Sequence, residues 1–154
     1  MGDNNIHTAL DYQRTEKIAL RLIARAEQCS SGLARKLEKR GCEAAGISEV
    51  ISRLYGLNLL DDSRFARMWL QSRLRFARSP RRLLSSLCAR GIDSGDAQAA
   101  IKEVLDEEAE FAMLEKFIRK HIKKNDDNIT RNIKFRLKNE GFSVSVIQKF
   151  IEND

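Results

Sequence analysis

Apolar residues recur along the chain in a pattern with a fixed period of 50 residues. Each copy has two apolar residues four positions apart and a glycine four positions later: Leu33, Leu37 and Gly41; Leu83, Leu87 and Gly91; Ile133, Leu137 and Gly141. Two more apolar positions follow every glycine: Ile47, Ala97 and Ile147, and then Ile51, Ile101 and Ile151. Side chains three or four positions apart share one face of an α-helix. Five aligned positions in three copies therefore predict a helical repeat protein.

The fold class predicted from this pattern is an all-α, elongated tandem array of three-helix repeats. Residues 1–14 are polar and lack periodicity, so they are predicted to form a flexible N-terminal tail. The three predicted repeats follow this tail and have similar lengths: 15–56, 57–106 and 107–154.

The boundaries of several helices are also readable. The three repeated glycines are predicted to end helices in the left-handed conformation. Asp61 and Ser79 are predicted N-caps, and Pro80 suits the first position of a helix because its missing N–H has no partner there. Periodicity hardly breaks between Ala97 and Ile122, so the last helix of the second repeat is predicted to continue into the third repeat. A loop is predicted at 123–128, with Asp127 or Asn128 capping the next helix.

The basic character of the chain is concentrated in residues 63–92, which we call the arginine segment. This segment holds eight arginines and no acidic residue, together with the only tryptophan and the only proline. The whole chain has a formal net charge of +6, so the residues outside the segment carry a net −2. The segment is therefore the first place to look for a binding surface.

Helical spacing divides the arginine segment into apolar and basic faces. Phe65, Trp69 and Phe76 fall on one stripe and are predicted to be core residues rather than a platform for stacking bases. A second stripe carries arginines: Arg64, Arg67, Arg75 and Arg78. The next predicted helix has a buried face that consists of four residues: Leu83, Leu84, Leu87 and Cys88. Arg81 lies on the opposite side, with Arg82 nearby.

The predicted binding residues extend from this segment into the outer repeats. They are Arg64, Arg67, Arg75, Arg78, Arg81, Arg82, Arg90, Arg35, Lys36, Lys39, Arg131 and Lys134. A solvated charged face normally mixes signs and so gains pairs four residues apart. The arginines of residues 63–92 have no acidic residue within the segment to form such pairs. This absence favours a binding role over simple solvation. Basic sets of this kind neutralise phosphates without reading bases.

Composition narrows the class of protein. Charged residues make up 32% of the 154 residues, and the sequence pI is about 9.4, which favours nucleic acid or an acidic protein groove as partner. Three cysteines without close pairing predict a reducing compartment. Apolar runs are too short to cross a bilayer, and the N-terminus lacks the features of a signal peptide. These features predict a cytoplasmic protein without membrane contact.

Catalytic and metal-binding chemistry is not predicted. His7 and His121 have no motif neighbours, and no C-x-x-C pair exists. The adjacent acids Asp61 and Asp62 are interpreted as an N-cap and a first-turn acid rather than as catalytic carboxylates. We therefore predict no catalytic residues, no metal and no cofactor.

The arginine segment and the residues just before it resemble the RecX family, bacterial regulators of the RecA recombinase. Two stretches carry the resemblance: Leu59-Leu60-Asp61-Asp62-x-x-Phe65-Ala66 and Arg81-Arg82-Leu83-x3-Leu87-x2-Arg90-Gly91-Ile92. The resemblance implies a non-enzymatic modulator that binds RecA, lies in the groove of the RecA–DNA filament and usually inhibits its ATPase, strand-exchange and co-protease activities. It implies weak binding to single- or double-stranded DNA and a monomeric state.

Two other functions remain open at this point. The first is a sequence-nonspecific DNA-binding protein that acts independently of RecA, which predicts tight binding to naked DNA and a steep dependence on salt. The second is a hydrolase or transferase, for which the sequence offers no pair of nucleophile and base.

Overall fold

The computed structural model describes residues 2–122 and 129–153, and the side chains of residues 5–122 and 132–153. These residues form nine α-helices and contain no β-strand, which confirms the all-α prediction. The helices are α1 (Gly2–Arg25), α2 (Ser30–Glu38), α3 (Ala44–Gly56), α4 (Asp62–Arg73), α5 (Pro80–Ala89), α6 (Ser94–Val104), α7 (Glu107–His121), α8 (Ile129–Asn139) and α9 (Val144–Asn153).

The chain divides into two compact units. The first contains the residues up to Phe65 together with Arg90–Ile92, and the second contains Ala66–Ala89 together with the residues after Ile92. The predicted borders 56/57 and 106/107 fall between helices, after α3 and after α6. They stay a prediction, because the compact units divide the chain at other positions.

The core of the first unit is formed by α1, α2 and α3. Leu33 and Leu37 on α2 pack with Ile47, Val50 and Leu54 on α3, and all five are 5% exposed or less. Both Leu33 and Leu37 belong to the 50-residue pattern, so the pattern marks core positions here. Burial of a leucine side chain contributes about 1.5–3 kcal/mol relative to leaving it in water.

The second unit repeats this plan in α5 with α6 and in α7, α8 and α9. Leu83, Leu87 and Ala97 are fully buried at the positions equivalent to those of the first unit. In the last repeat Leu137 is fully buried, and the rings of Phe117 and Phe142 lie 5.5 Å apart in the core. Two apolar positions of the pattern, that of Leu37, Leu87 and Leu137 and that of Ile47, Ala97 and Ile147, are therefore confirmed as core positions in all three copies. Ile133 and the last position of the pattern are half-buried: Ile51, Ile101 and Ile151.

The three repeated glycines have the conformation predicted for them. Gly41, Gly91 and Gly141 have φ angles of +76°, +86° and +87°. In the first and third copies the glycine N–H bonds to a carbonyl three residues earlier, and the following N–H reaches back five residues. These bonds satisfy carbonyls at the end of a helix, as left-handed helix ends do.

The predicted N-terminal tail is wrong, because α1 begins at Gly2. Contacts from Asp11 onward hold the helix. Asp11 accepts from the N–H of Glu43 at 3.4 Å, the side chain of Tyr12 packs against the core of the first unit, and Arg14 donates to the carbonyl of Arg40 at 2.8 Å. The side chains of residues 5–10 are exposed. An exposed helical turn needs no apolar periodicity, which explains why the sequence pattern did not indicate a helix here.

The predicted continuous helix between the second and third repeats is also wrong. α6 ends at Val104, and Leu105 leaves the helical conformation with a ψ angle of 78°. Asp106 then caps α7, because its carboxylate accepts from the N–H of Ala109 at 2.8 Å. The cap lies inside an acidic run of good helix formers, so its signal was hidden.

The apolar face predicted for the arginine segment needs correction. The buried residues of α4 are Ala66 and Leu70, whereas Phe65 and Trp69 are only half-buried. Phe76 is 40% exposed, because α4 ends at Arg73 and helical spacing no longer applies three residues later. Cys88 is exposed as well, although it was predicted to lie on the buried face of α5.

The predicted loop at 123–128, with its cap at Asp127 or Asn128, lies outside the described residues. The other boundaries agree with the prediction to within a few residues. Pro80 is the first residue of α5, and Ser79 precedes it as predicted.

Candidate partner-binding and nucleic-acid-binding surface

Two adjacent carboxylates fix the beginning of the arginine segment. Asp61 is confirmed as the N-cap of α4, since its side chain accepts from the N–H of Arg64 at 2.9 Å. Asp62 accepts from the N–H and the hydroxyl of Ser30, at 2.7 and 2.6 Å, and so caps α2. The N–H of Asp62 donates to the hydroxyl of Tyr55, and burial raises the pKa of that phenol. Both acids therefore have structural partners.

Arg64 is held by intramolecular bonds. Its Nε and Nη2 each lie 2.7 Å from one carboxylate oxygen of Glu27, and its Nη1 donates to the carbonyl of Asn58 at 3.3 Å. The side chain is 36% exposed. Bonds to a charged partner and to carbonyls favour a structural role for this guanidinium over contact with a partner.

Replacement of Arg64 by alanine is expected to lower the free energy of unfolding by about 1 kcal/mol, because a half-exposed ion pair is partly screened by water. Urea denaturation of the wild type and the variant measures this loss. The binding of DNA or of a protein partner at native conditions is expected to stay the same. Weaker binding with an unchanged free energy of unfolding would contradict the structural role and would show that Arg64 contacts the partner.

The other predicted binding residues of the first unit differ in their hydrogen-bond partners and in their exposure. Lys36 donates to the side-chain carbonyl of Gln28 at 2.7 Å, and Arg35 donates to the backbone carbonyls of Ser31 and Arg90, each at 3.4 Å. Lys39 is exposed, and Arg90 is half-buried. Of these four residues, Lys39 is the one whose charge is exposed to solvent and has no partner among the described residues.

In the second unit, the arginines on α4 are partly neutralised or stacked. Arg67 lies 3.8 Å from the carboxylate of Glu103 on α6. The guanidinium of Arg73 lies over the rings of Trp69 and Phe76, at 5.2 and 5.8 Å from their centres. Stacking on an aromatic face holds a guanidinium in place while leaving its charge intact.

The predicted guanidinium stripe is broken where α4 ends. Arg75 and Arg78 lie in the irregular segment 74–79 rather than on a helix, so they do not continue the face of Arg67. Arg75 is exposed and lies over Phe76, 4.9 Å from the centre of the ring, whereas Arg78 is half-buried. This arrangement gives exposed Phe76 a role: it supports two guanidinia, those of Arg73 and Arg75.

Arg81 and Arg82 occupy the first turn of α5, and both side chains are exposed. Cations near the start of a helix are unfavourable, because the helix dipole is positive there. Glu140 offsets this effect: its carboxylate accepts from the hydroxyl of Ser79 at 2.5 Å, and its carbonyl accepts from the N–H of Arg81 at 3.0 Å. Glu140 therefore stabilises the beginning of α5 without pairing with either guanidinium.

These positions define an exposed arginine group: Arg75, Arg81 and Arg82. Within the part of the chain that the structure describes, none of the three pairs with a carboxylate. Arginine forks of this kind bind phosphates or carboxylates through two parallel hydrogen bonds. Lys134 on α8 is also exposed, and the side chain of Arg131 lies outside the described residues.

Sequence reasoning missed the acids that reach the arginine segment from elsewhere. Glu27, Glu103 and Glu140 all lie outside residues 63–92, so the segment alone gives no sign of them. The repeat gives no sign of Glu140 either, because the equivalent positions are Arg40 and Arg90. A signal exists only for Glu103, which belongs to the acidic run at the end of the second repeat.

Neither a metal centre nor a membrane-spanning helix is found in the described part of the chain. Across residues 5–122 and 132–153, no three His, Cys, Asp or Glu side chains are grouped so that they could hold a metal ion. None of the described helices is both long enough and apolar enough to span a membrane.

The fold and the exposed arginine group define an all-α helical repeat protein with a basic surface. Two family models match it, the first three-helix domain of RecX over residues 17–54 and the second three-helix domain of RecX over residues 61–101. The chain belongs to the RecX family.

Relatives and solved structures agree with this assignment. A regulatory protein RecX from Treponema pallidum is 36% identical over 106 residues, which are 68% of this chain and 65% of that protein. A regulatory protein RecX from Mycobacterium ulcerans is 31% identical over 140 residues, 87% of this chain and 80% of that protein. The crystal structure of RecX from Lactobacillus salivarius has the same fold, with a TM-score of 0.73 at 23% identity, covering 94% of this chain and 97% of that one.

Proposed function

We propose that this protein is a non-enzymatic regulator, specifically an inhibitor, of the RecA recombinase. Its relatives are named as regulatory proteins, and membership of the RecX family is the observation that carries the proposal. The proposed partner is the RecA–DNA filament, and the proposed place of binding is the helical groove of that filament. We propose a cytoplasmic monomer as the active form.

The exposed arginine group supplies the proposed contact. Arg75, Arg81 and Arg82 are exposed, and none of their guanidinium groups pairs with a carboxylate of the described residues. Hydrogen bonds from such guanidinium groups to carboxylates or phosphates of a partner make the free energy of binding more favourable. A regulator of this kind shifts the filament toward one state by binding that state more tightly than the others. Lys39, Lys134 and Arg131 are proposed as further contacts.

The proposal is tested by the ATPase activity of the cognate RecA on single-stranded DNA, titrated with this protein. Turnover is expected to fall at substoichiometric protein, and added free DNA is expected not to restore it. Heat-denatured protein at the same concentrations serves as the control. A fall in turnover that free DNA reverses would show sequestration of DNA and would contradict regulation of the filament.

The alternative function is sequence-nonspecific DNA binding that is independent of RecA. The net charge of +6 and the three exposed guanidinia favour it. Under this alternative the protein binds naked DNA tightly, and its affinity falls steeply with salt because bound counterions are released. A RecA ATPase that this protein leaves unchanged, together with such a salt dependence, would favour the alternative.

A further inference from the structure

A second basic surface lies on the first unit, outside the arginine segment. Arg21, Arg25 and Arg40 line a concavity of about 190 Å³ whose floor is formed by Ile18 and Leu22. The spacing along α1 also places Arg14 on this face, since positions 14, 18, 21 and 25 follow one another at intervals of four, three and four. Two elements, α1 and the end of α2, thus bring four guanidinia to one surface.

The acids nearest to this surface have other partners. Asp11 and Glu43 line a neighbouring concavity together with Arg14, but Asp11 accepts from the N–H of Glu43 at 3.4 Å and the carboxylate of Glu43 lies 3.8 Å from His7. Glu16 lies 3.1 Å from Arg53, and Glu27 pairs with Arg64. No described carboxylate pairs with the guanidinia around the concavity. Arg21 and Arg25 are four residues apart on α1, a spacing at which like charges destabilise a helix. The free protein therefore has an uncompensated charge here, which a bound anion would neutralise.

Two of the arginines are already oriented and two are available. Arg14 donates to the carbonyl of Arg40 at 2.8 Å, and Arg40 donates to the carbonyl of Lys36 at 3.0 Å. These bonds hold both side chains against the negative end of α2. Arg21 and Arg25 are exposed and have no hydrogen-bond partner among the described residues. Their Cα atoms lie about 6 Å apart along the helix axis.

We infer that this concavity is a binding site for the phosphodiester backbone of single-stranded nucleic acid. Arg21 and Arg25 contact neighbouring phosphates, and the apolar floor of Ile18 and Leu22 receives an unstacked base or sugar. A duplex keeps its bases stacked inside and leaves this floor empty, which favours a single strand. The assignment does not depend on RecA, so it can hold whether the protein regulates RecA filaments or binds DNA independently of RecA.

The test measures the binding of a fluorescein-labelled oligothymidylate to the full chain by fluorescence anisotropy, without any recombinase. The double variant Arg21→Gln, Arg25→Gln is expected to bind at least roughly tenfold more weakly. Its plot of log affinity against log salt is expected to be less steep by about 1.4, since each phosphate neutralised on a single strand contributes about 0.7.

The matched control is the double variant Arg53→Gln, Lys149→Gln. It removes the same charge from two residues that already lie beside carboxylates, at 3.1 and 3.4 Å. Unchanged affinity in this control, with loss in the first variant, supports the site. Equal losses in both variants would show a general effect of net charge and would overturn it.

Competition identifies the ligand. Unlabelled oligothymidylate is expected to displace the probe, and polyglutamate of the same length is not. Displacement by polyglutamate would overturn the assignment in favour of an acidic protein surface. A duplex whose affinity falls as much in the Arg21→Gln, Arg25→Gln variant as that of the single strand would overturn the preference for a single strand.

Discussion

Replacement of Gly91 by alanine is expected to lower the free energy of unfolding by about 3 kcal/mol. Gly91 has a φ angle of +86°, which costs an alanine about 1–2 kcal/mol. An added Cβ would also overlap with Oγ and Cβ of Ser31, so α2 would have to shift. The cost of such overpacking is about 1–3 kcal/mol. Gly91 and Ser31 both belong to the first compact unit.

Gly41 provides the matched control for this experiment. It has a φ angle of +76° and the same position in the repeat, but a Cβ added there would meet no atom of the described structure within 4 Å. Gly41→Ala is therefore expected to lose only the backbone contribution, about 1–2 kcal/mol. Urea denaturation of both variants measures the difference. Equal losses would show that the contact between Gly91 and Ser31 is absent in solution.

Reversal of the exposed arginine group is expected to weaken binding to RecA filaments on the order of a hundredfold. The triple variant Arg75→Glu, Arg81→Glu, Arg82→Glu places three negative charges where the proposed partner presents negative charge, and such juxtapositions cost several kcal/mol. The glutamates at positions 81 and 82 also suit the first turn of α5, so the fold is expected to persist. Co-sedimentation with filaments measures the binding, and circular dichroism measures the helix content.

The control for this variant changes the same charge elsewhere in the second unit. Lys116, Arg119 and Lys120 are exposed residues of α7, and their reversal to glutamate is expected to reduce binding much less. Wild-type binding by the variant at positions 75, 81 and 82 would contradict the proposed contact surface. Equal loss in both variants would assign the effect to net charge alone.

The part of the fold that was predictable depends on chemistry repeated along the chain. Leu37, Leu87 and Leu137 are fully buried in all three copies, so a periodic comparison of the sequence finds them. The glycines were predictable because few other residues adopt a positive φ angle at a helix end. Local signals of this kind do not depend on which parts of the chain meet in space.

The part that was not predictable depends on contacts between distant residues. The sequence predicts that Arg64 is a free basic residue on the surface, because its partner Glu27 lies 37 positions away in the chain. The exposed Phe76 reads as a core residue until α4 is known to end at Arg73. The start of α1 had no signal because its first side chains are exposed. The four guanidinia around α1 were missed because Arg40 lies beyond the end of another helix.

The bonds of Glu140 also have a consequence for the order of events during synthesis. Ser79 and Arg81 emerge from the ribosome well before Glu140, so the beginning of α5 lacks these bonds while the last repeat is still being made. Without Glu140, the first turn of α5 keeps the bond from the N–H of Arg82 to the hydroxyl of Ser79 but loses the other two, and its two cations oppose the helix dipole. The basic group on α5 is therefore expected to reach its final arrangement only after α8 has been translated and folded. Partial chains that lack α8 are consequently expected to bind the proposed partner poorly.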